Sequence, residues 1–386
     1  MRKILAITGA RSEYDLLSPV FERLNSDARF KLGMLVTGSH LSEKFGNTID
    51  YILKDGFHVE DRVYNLIDSS TRIGRIISLG NQIQPFAQVF ERFRPDIVLV
   101  AGDREEAISA TMTAAFMDVP VAHFFGGDVA KDGNIDNSIR YAASKFAHIH
   151  FPTLEEHRQV LLRLGEDDWR IHVVGNPALD KFVNTPAMTM QQLSKELKCE
   201  LKADEKYLIL IQHPIVTEVE QQAAIIEETL EAIVSMGLKC FVSYPNSDPG
   251  NFDIIKAYEE YSKKHSQIYL YHNLDRNVYV NLMRHASCQV GNSSSGILEA
   301  PSVHLPVVNI GSRQRGRTNA GNVIYVDYDK GQIKEAILKS IYDESYRKRV
   351  KTLENPYGNG KSSYNVVEIL AAIDLNSDLI YKNITY

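Results

Sequence analysis

Short apolar runs alternate with longer amphipathic stretches along this chain. This alternation predicts buried parallel strands joined by crossover helices. The predicted strands of the first half are Ile4–Ile7, Leu32–Val36, Ile97–Val100, Val121–Phe125 and His148–Phe151. Those of the second half are Tyr207–Ile211, Cys240–Ser243, Ile268–Tyr271, Cys288–Val290, Val307–Ile310 and Val323–Val326. The predicted helices of the first half are Leu16–Leu24, Leu41–Leu53, Ile73–Phe93, Glu105–Phe116 and Ser138–Phe146.

A chain of 386 residues is too long to fold around a single hydrophobic core, so its length predicts two domains. The polar stretch from Asn184 to Lys206 lacks a strong strand and predicts a helix plus the linker. We therefore predict two Rossmann-like α/β domains, residues 1–183 and 184–361. A last helix near Ser362–Ile373 fits either domain. Two such halves suggest a cleft, and open α/β sheets bind ligands beyond the carboxyl ends of their strands.

The composition is that of an ordinary folded protein, with 44% hydrophobic and 24% charged residues. A net charge of -6 leaves no basic surplus to neutralise phosphates, which argues against non-specific nucleic-acid binding. The three cysteines have no metal-ligand spacing and fit a reducing compartment. The first apolar run is too short for a signal peptide, and no run reaches about 18 apolar residues. We expect a cytoplasmic protein without a membrane segment.

A glycine turn, Thr8–Asp15, follows the first predicted strand. Such a turn at a helix start can present backbone N–H groups to an anion, and Arg11 would add positive charge. The alternative is a plain strand-to-helix turn in which Ser12 caps the helix and Asp15 completes the capping box.

An acid and a base, Asp103 and Arg104, follow the predicted strand Ile97–Val100. Placed at the top of a strand, they fit an acid–base group beside its electrostatic partner. In the alternative, Asp103 is the N-cap of the next helix and Glu106 completes a capping box.

Two carboxylates and an arginine, Asp128, Asp136 and Arg140, follow the next strand in a glycine-containing stretch typical of a catalytic loop. The alternative is that Asp136 caps a helix and pairs with Arg140, four residues on. His123, in the same strand, is better explained as a hydrogen-bonded strand-end histidine than as a catalyst.

Polar residues also follow the strands of the second half, among them His213 in Gln212–Pro214, and Asn246 and Asp248 after the next strand. The most distinctive segment is Gly291–Glu299, which follows a strand and is predicted to open a helix.

In that segment the hydroxyls of Ser293, Ser294 and Ser295 would converge with free N–H groups at the positive helix end, as at an anion site. Glu299, in the first helical turns, could bond a ribose diol. Arg313 and Arg317 could add contacts to a phosphate or a base. The alternative is an ordinary serine-rich turn.

Taken together, these motifs resemble the hydrolysing UDP-N-acetylglucosamine (UDP-GlcNAc) 2-epimerases of sialic and legionaminic acid biosynthesis. Each motif is weak alone, but they span nearly the whole chain in order. The segments that carry the resemblance are Gly9–Asp15, Val36–Leu41, Gly46–Ile49, Gly102–Arg104, Ile135–Arg140, Gln212–Pro214, Pro245–Asp248, Gly291–Gly296 and Arg313–Arg317.

The resemblance implies a glycosyltransferase-B-like architecture with an interdomain cleft, UDP held by the second domain, and a final segment, 362–386, returning to the first. It implies elimination of UDP to a 2-acetamidoglycal and then hydration to the free 2-epimeric sugar, without a metal or other cofactor. It also implies a homodimer. Asp103, Asp128, Asp136 and His213 match catalytic positions of the family. Nucleotide contacts match Arg11, Ser293, Ser294, Glu299 and Arg313.

The chain departs from the family pattern at Asp128, where relatives have Gly-Gly-Glu, and the loop to Asp136 is about one residue longer. The non-hydrolysing branch would show His-Val-Glu-Ala-Gly after the fifth strand and Gly-His-Arg around the second-domain histidine. This chain has His123–Asp128 and Gln212–Pro214 there, which favours the hydrolysing branch.

Two more distant function classes stay open at the level of the sequence. A retaining glycosyltransferase would not need the paired aspartates, and a catalytically dead sensor would not need intact acids. The favoured substrate is UDP-GlcNAc. Two other substrates also fit. One is UDP-N,N'-diacetylbacillosamine, whose methyl and second acetamido groups could suit the shorter Asp128 and the ring of either Phe124 or Phe125. The other is a GDP-linked sugar.

Overall fold

The structure, a computed structural model, describes residues 1–67, 71–129, 135–246, 249–272 and 274–383. The described residues form two compact units. Unit 1 comprises residues 1–181 and 360–386, and unit 2 comprises residues 182–359.

Each unit contains one parallel sheet, with six strands assigned among the described residues. In unit 1 the strand order is β3-β2-β1-β4-β5-β6, and in unit 2 it is β12-β11-β10-β7-β8-β9. The strands are β1 Arg2–Thr8, β2 Phe30–Thr37, β3 Val59–Val63, β4 Ile97–Ala101, β5 Val121–Phe124, β6 Ile149–Phe151, β7 Tyr207–Ile211, β8 Lys239–Ser243, β9 Ile268–Tyr271, β10 Cys288–Gly291, β11 Val307–Ile310 and β12 Val323–Val326.

Helices cover both faces of these sheets, as parallel strands require. In chain order they are α1 Arg11–Ser26, α2 Ile49–Lys54, α3 Arg72–Phe93, α4 Glu105–Phe116, α5 Ile135–Phe146, α6 Glu155–Arg163, α7 Ala178–Val183, α8 Met190–Leu197, α9 Gln222–Val234, α10 Asn251–Lys264, α11 Arg276–His285, α12 Ser295–Leu298, α13 Lys330–Tyr342, α14 Glu344–Lys351, α15 Ser362–Ala372 and α16 Ser377–Ile380.

Alternate residues of the central strands enter opposite cores. Ile4 and Ala6 of β1 pack under α1 and α15, whereas Leu5 and Ile7 pack under α3 and α4. The α/β fold class predicted from the alternating pattern is confirmed. The helix α15 packs against α1, and the carboxylate of Asp180 accepts hydrogen bonds from the first two backbone N–H groups of α15, at 3.0 and 2.6 Å.

One predicted helix of unit 1 was wrong, and one strand of unit 1 was missed. The predicted helix Leu41–Leu53 is broken, since 3-10 turns occupy Gly38–Leu41 and Glu43–Phe45 and an α-helix begins only at Ile49. The break coincides with left-handed backbone at Gly46 (φ 82°) and Asn47 (φ 46°), which no α-helix accommodates. The edge strand β3 was missed, because its central residues are charged.

Candidate active site

The carboxyl ends of β1 and β4 form the topological switch point of the unit 1 sheet. The chain leaves β1 toward β2 on one side, while β4 lies on the other side. The loops after these two strands therefore diverge and leave a crevice of the kind in which open α/β sheets bind ligands. Arg11, Asp103 and Arg104 all lie in the segments that follow these two strands.

Arg11 is the first residue of α1 and is exposed. Its Nε lies 3.4 Å from Asp15 Oδ2, and its guanidinium lies 4.3 Å from the centre of the Tyr51 ring. The N-cap of α1 is Ala10, which has no side-chain capping bond, so the interpretation of Ser12 as the cap was wrong. Arg11 is a surface cation available to an anionic ligand.

Arg140 joins two of the predicted acids. Its guanidinium forms an ion pair with Asp103 and donates a hydrogen bond to the backbone carbonyl of Asp128 at 2.7 Å. Arg140 is buried, and burial lowers the pKa of its guanidinium. Helix α4 is capped at Arg104 without a side-chain bond, so the capping interpretation of Asp103 was also wrong. The structure thus groups Asp103, Asp128 and Arg140.

A strained turn presents Asp128. Phe125 and Gly127 both have left-handed backbone, with φ of 63° and 80°. A side chain at Gly127 would place its Cβ 2.2 Å from the carbonyl oxygen of His157, so glycine is required there. The Asp128 carboxylate is half-exposed, and its Oδ1 lies 3.5 Å from His157 Nε2.

Asp136 lies in the first turn of α5, on the same helix as Arg140. The loop between it and Asp128, including Gly133, lies outside the described residues. The prediction that His123 is a hydrogen-bonded structural residue is consistent with its surroundings. It is fully buried, its Nε2 lies 2.8 Å from the Gly102 carbonyl, and burial lowers its pKa to about 4.

Sequence reasoning missed two carboxyl groups at the switch point, those of Glu13 and Glu106. They lie in the first turns of α1 and α4, and the Arg104 Nε is 3.8 Å from one oxygen of each. Glu106 had been interpreted only as part of a capping box. No local pattern marked them, because Gly9 and Gly38, whose missing side chains leave room for the Glu106 carboxyl, lie in separate loops.

In unit 2 the corresponding switch point lies between β7 and β10. His213 follows β7, and Asn292 follows β10 and holds the histidine backbone from both sides. The Asn292 amide accepts from His213 N–H at 2.7 Å and donates to the His213 carbonyl at 2.8 Å. Gly291 (φ 119°) permits this approach, since a Cβ there would lie 2.2 Å from the Ile211 carbonyl oxygen.

The tautomer of His213 follows from its neighbour. The backbone N–H of Asn246 donates to His213 Nδ1 at 3.1 Å. A nitrogen that accepts carries no proton, so the neutral ring carries its proton on Nε2. The predicted site residues His213 and Asn246 are thus in contact, whereas Asp248 lies outside the described residues.

The serine segment differs from the expectation in one respect. Helix α12 is a single turn, so its dipole is small, and Glu299 follows the helix instead of lying within it. Ser293 and Ser295 bond to each other at 3.0 Å, and Gln289 donates to Ser295 at 2.8 Å. Ser294, the N-cap of α12, is partly exposed.

Three further predicted residues border this segment. Arg313 donates to the Asn292 carbonyl at 3.1 Å, and Arg317 donates to the side chain of Gln314 at 3.1 Å. Glu299 accepts a hydrogen bond from Tyr279 at 3.0 Å, and burial raises its pKa. The structure therefore brings Arg313 to the serine segment directly and Arg317 only through Gln314.

Among the described residues, both groups that could hold a metal ion and helices that could cross a membrane are absent. No described group of three or more His, Cys, Asp or Glu residues could hold a metal ion. Within the described ranges, no helix combines the length and apolarity needed to cross a membrane.

Similarity to known proteins extends over nearly the whole chain. A family model described as UDP-N-acetylglucosamine 2-epimerase matches residues 22–371. The chain is 33% identical to a UDP-N,N'-diacetylbacillosamine 2-epimerase (hydrolyzing) of Legionella pneumophila over 99% of both chains. It is 32% identical to a GDP/UDP-N,N'-diacetylbacillosamine 2-epimerase (hydrolyzing) of Campylobacter jejuni over 84% of both.

The fold is similar to that of a solved UDP-GlcNAc 2-epimerase from Neisseria meningitidis bound to UDP-GlcNAc. The TM-score is 0.77 at 22% identity, over 95% of this chain and 99% of the solved one. The two-domain, glycosyltransferase-B-like fold class implied by the sequence is thereby confirmed.

Proposed function

The chain belongs to the UDP-N-acetylglucosamine 2-epimerase family, and from that membership we propose that it is a hydrolysing 2-epimerase of a UDP-linked 2-acetamido sugar. In this reaction a base removes the C2 proton while the C1–O bond to UDP breaks, which leaves a 2-acetamidoglycal. Water then adds its hydroxyl to C1, and a proton returns to C2 from the opposite face. The products are UDP and the free 2-epimeric sugar.

The observation that carries the proposal is the grouping of Asp103 and Asp128 around Arg140 at the ligand-binding end of the unit 1 sheet. The C2 proton of such a sugar is weakly acidic, so its removal needs a positioned carboxylate and a stabilised leaving diphosphate. We assign proton removal to the Asp103 and Asp128 pair, and hydration to Asp136. Arg140 holds the Asp103 carboxylate and the backbone carbonyl of Asp128.

Unit 2 supplies the nucleotide contacts in this proposal. Ser293, Ser294 and Arg313 would donate to the diphosphate, and Glu299 would accept from the ribose. His213, held by Asn292 with its Nε2 protonated, is suited to donate a hydrogen bond to the leaving diphosphate. Asn246, Ser295 and Arg317 support these contacts. Within unit 1, Arg11 and Arg104 are the cations proposed for an anionic ligand.

The hydrolysing branch is supported by two observations. The two relatives described above are both named as hydrolyzing enzymes. The chain also has Gln212–Pro214 and Gly126–Asp128 where the non-hydrolysing pattern has other residues.

For the substrate, we propose UDP-N,N'-diacetylbacillosamine. This differs from the sequence alone, which favoured UDP-GlcNAc. The names of the same two relatives support the diacetylated sugar. Phe124 packs in the core, with its ring centre 4.9 Å from the ring centre of Phe151, while the neighbouring Phe125 is partly exposed. In this proposal the exposed part of the Phe125 ring, beside the short Asp128, would contact the additional methyl and acetamido groups.

The test is kcat/KM for both UDP-sugars, with products identified by NMR. We expect at least about a tenfold preference for the diacetylated sugar, and cross-activity on UDP-GlcNAc, because an apolar pocket discriminates by only about 1–3 kcal/mol per small group. A tenfold preference for UDP-GlcNAc would reverse the substrate assignment. Failure to turn over either sugar would contradict the proposed function.

The proposal includes a cytoplasmic homodimer. The three cysteines are buried and unpaired, which suits a reducing compartment. Ile73, Ile76 and Ile77 share one face of α3 and expose 65, 57 and 44% of their surfaces. Such an apolar face fits a subunit interface. The molecular mass from light scattering should be twice that of the chain, and Ile76→Glu should shift it toward the monomer.

A further inference from the structure

Glu13 and Glu106 form a buried acid pair at the switch point of the unit 1 sheet, and the catalytic proposal above does not use it. Glu106 exposes 7% of its surface, and the side chain of Glu13 exposes 13%. One oxygen of Glu13 accepts from the backbone N–H of Gly9 at 3.1 Å. The other oxygen of Glu13 and one oxygen of Glu106 have no hydrogen-bond partner among the described residues.

The backbone is shaped to hold the Glu106 carboxyl in this position. A Cβ at Gly9 would lie 2.3 Å from its carboxyl carbon, and a Cβ at Gly38 would lie 2.5 Å from its Oε1. Gly38 also has left-handed backbone (φ 60°). Any other residue at either glycine would displace the Glu106 carboxyl, so the pair is built into the loops after β1 and β2.

Arg104 is a cation that lies close to both acids. Its Nε lies 3.8 Å from Oε1 of Glu13 and 3.8 Å from Oε2 of Glu106, while nearly half of its side chain is exposed. The guanidinium thus faces the carboxyl pair on one side and solvent on the other. One positive charge balances one carboxylate, so ionising both acids leaves one buried charge uncompensated.

The other charged groups near the pair do not supply the missing charge. Glu105 adds a negative charge near Glu106, and Arg75, which pairs with Glu105, adds a positive one. His40, bonded to Thr8 at 3.0 Å, is neutral because burial lowers its pKa to about 4. Burial, and then repulsion by Glu106, raise the pKa of Glu13 to about 8, and burial also raises the pKa of Glu106.

We propose that the Glu13–Glu106 pair shares one proton and positions Arg104, and that an anionic diphosphate binding to Arg104 makes the pair take up a proton from solvent. This rests on the proposed function, since it assigns the diphosphate of the UDP-sugar to Arg104. When the anion engages the guanidinium, Arg104 compensates the pair less, so the complex holds the shared proton to a higher pH than the free protein does and takes it up from solvent near pH 8.

The sign of the pH dependence follows from this linkage. Below about pH 7 the pair already holds its proton and binding takes up none. Near pH 8 the free protein has partly lost the proton that the complex keeps, so UDP affinity falls as the pH rises. We expect the affinity to fall about threefold between about pH 7 and about pH 8.5.

The test is calorimetric titration of the full-length protein with UDP, near pH 8, in two buffers of different ionisation enthalpy. The wild type should take up about half a proton per UDP bound. Glu106→Gln and Glu13→Gln should each reduce the uptake to near zero and flatten the pH dependence of the affinity. Glu155→Gln, which changes an exposed glutamate paired with Arg158, is the control and should keep the wild-type uptake.

Three results separate the possible failures. UDP binding without proton uptake by the wild type would overturn the proton-sharing pair and leave the proposed function intact. Absence of UDP binding altogether would contradict the proposed function. Uptake that persists in both glutamine variants would assign the proton to another group. If one glutamine variant does not fold, the other still distinguishes the pair from another group.

Discussion

Glu166 and Glu106 are two glutamates of unit 1, both almost completely buried, yet their surroundings are opposite. Glu166 Oε1 accepts from Lys145 at 2.7 Å, and its Oε2 accepts from His150 at 2.9 Å and lies 2.6 Å from the Lys382 ammonium. Glu106 faces a second carboxyl, and the nearest cation, Arg104, is 3.8 Å away. Burial alone would raise the pKa of Glu166, but its donors outweigh burial and lower it to about 2.

The difference indicates that the Glu166 carboxylate stabilises the fold, whereas the carboxyl groups of Glu13 and Glu106 can still change their protonation or their partners. Glu166 fixes the C-terminal segment, because Lys382 also donates to the carbonyls of Ser144 and Lys145 at the end of α5. A fully bonded carboxylate has no capacity left for a ligand. Incompletely bonded acids cost stability, and such acids concentrate where function requires them.

The largest expected effect concerns the acids assigned to catalysis. Asp103→Asn and Asp136→Asn keep the size of the side chain and remove the base, so each should lower kcat by roughly 10²–10⁴. The rate is measured per folded molecule, because Asp103 also pairs with Arg140. Asp168→Asn, which alters an exposed pair with Arg158, is the control and should keep its rate. A normal rate in either catalytic variant would remove that residue from the mechanism.

The next effect concerns Glu166 and is on stability. Glu166→Gln leaves two lysines without their buried partner and should lower the free energy of unfolding by about 3–5 kcal/mol. Its kcat per folded molecule should be unchanged. Glu155→Gln, which breaks an exposed pair with Arg158, should cost at most about 1 kcal/mol. Denaturant titration of the three proteins measures this. If Glu166→Gln were as stable as Glu155→Gln, the buried ion pairs of Glu166 would contribute no more to stability than an exposed pair.

The lowered pKa of Glu166 also fixes the direction of its pH dependence. Its stabilising contribution is complete above the ordinary pKa of 4.5 and is lost as the pH falls toward about 2. The difference in stability between wild type and Glu166→Gln should therefore narrow between about pH 5 and about pH 2. A difference that stayed constant over this range would mean that the charge of Glu166 contributes nothing.

The smallest expected effect concerns the nucleotide contacts of unit 2. Ser294→Ala and Arg313→Ala should each weaken UDP binding by about 1–3 kcal/mol, the size of a charge-assisted hydrogen bond. Arg315→Ala removes a neighbouring exposed cation that pairs with Asp327, and it should leave UDP affinity unchanged. If calorimetry gave the wild-type affinity for both test variants, the serine segment would be an ordinary turn.

The sequence predicted the elements best where burial sets the pattern. The buried strand β7 is a continuous apolar run, and its bounds were predicted to the residue. The strand β3 was missed because Glu60, Asp61 and Arg62 leave no apolar run at this sheet edge. The helix break near Gly46 was also missed, because local turn geometry overrides the amphipathic pattern.

In the site, the sequence predicted positions at strand ends but not the partners. The Asp103–Arg140 ion pair joins residues 37 positions apart, and local patterns offered Asp136 as the partner of Arg140 instead. Glu106 was interpreted as the residue that completes a capping box with Asp103, because its burial depends on Gly9 and Gly38, which only the folded chain brings together. The catalytic roles themselves came from the family resemblance.

Turnover in isotopically labelled water tests the central claim, elimination of UDP followed by hydration, most directly. Reaction of the preferred UDP-sugar in D2O containing oxygen-18 should place deuterium at C2 and the oxygen label at C1 of the released sugar, with none in the UDP phosphates. Oxygen-18 in the phosphate, or an intact 2-epimeric UDP-sugar as the final product, would contradict the proposed mechanism.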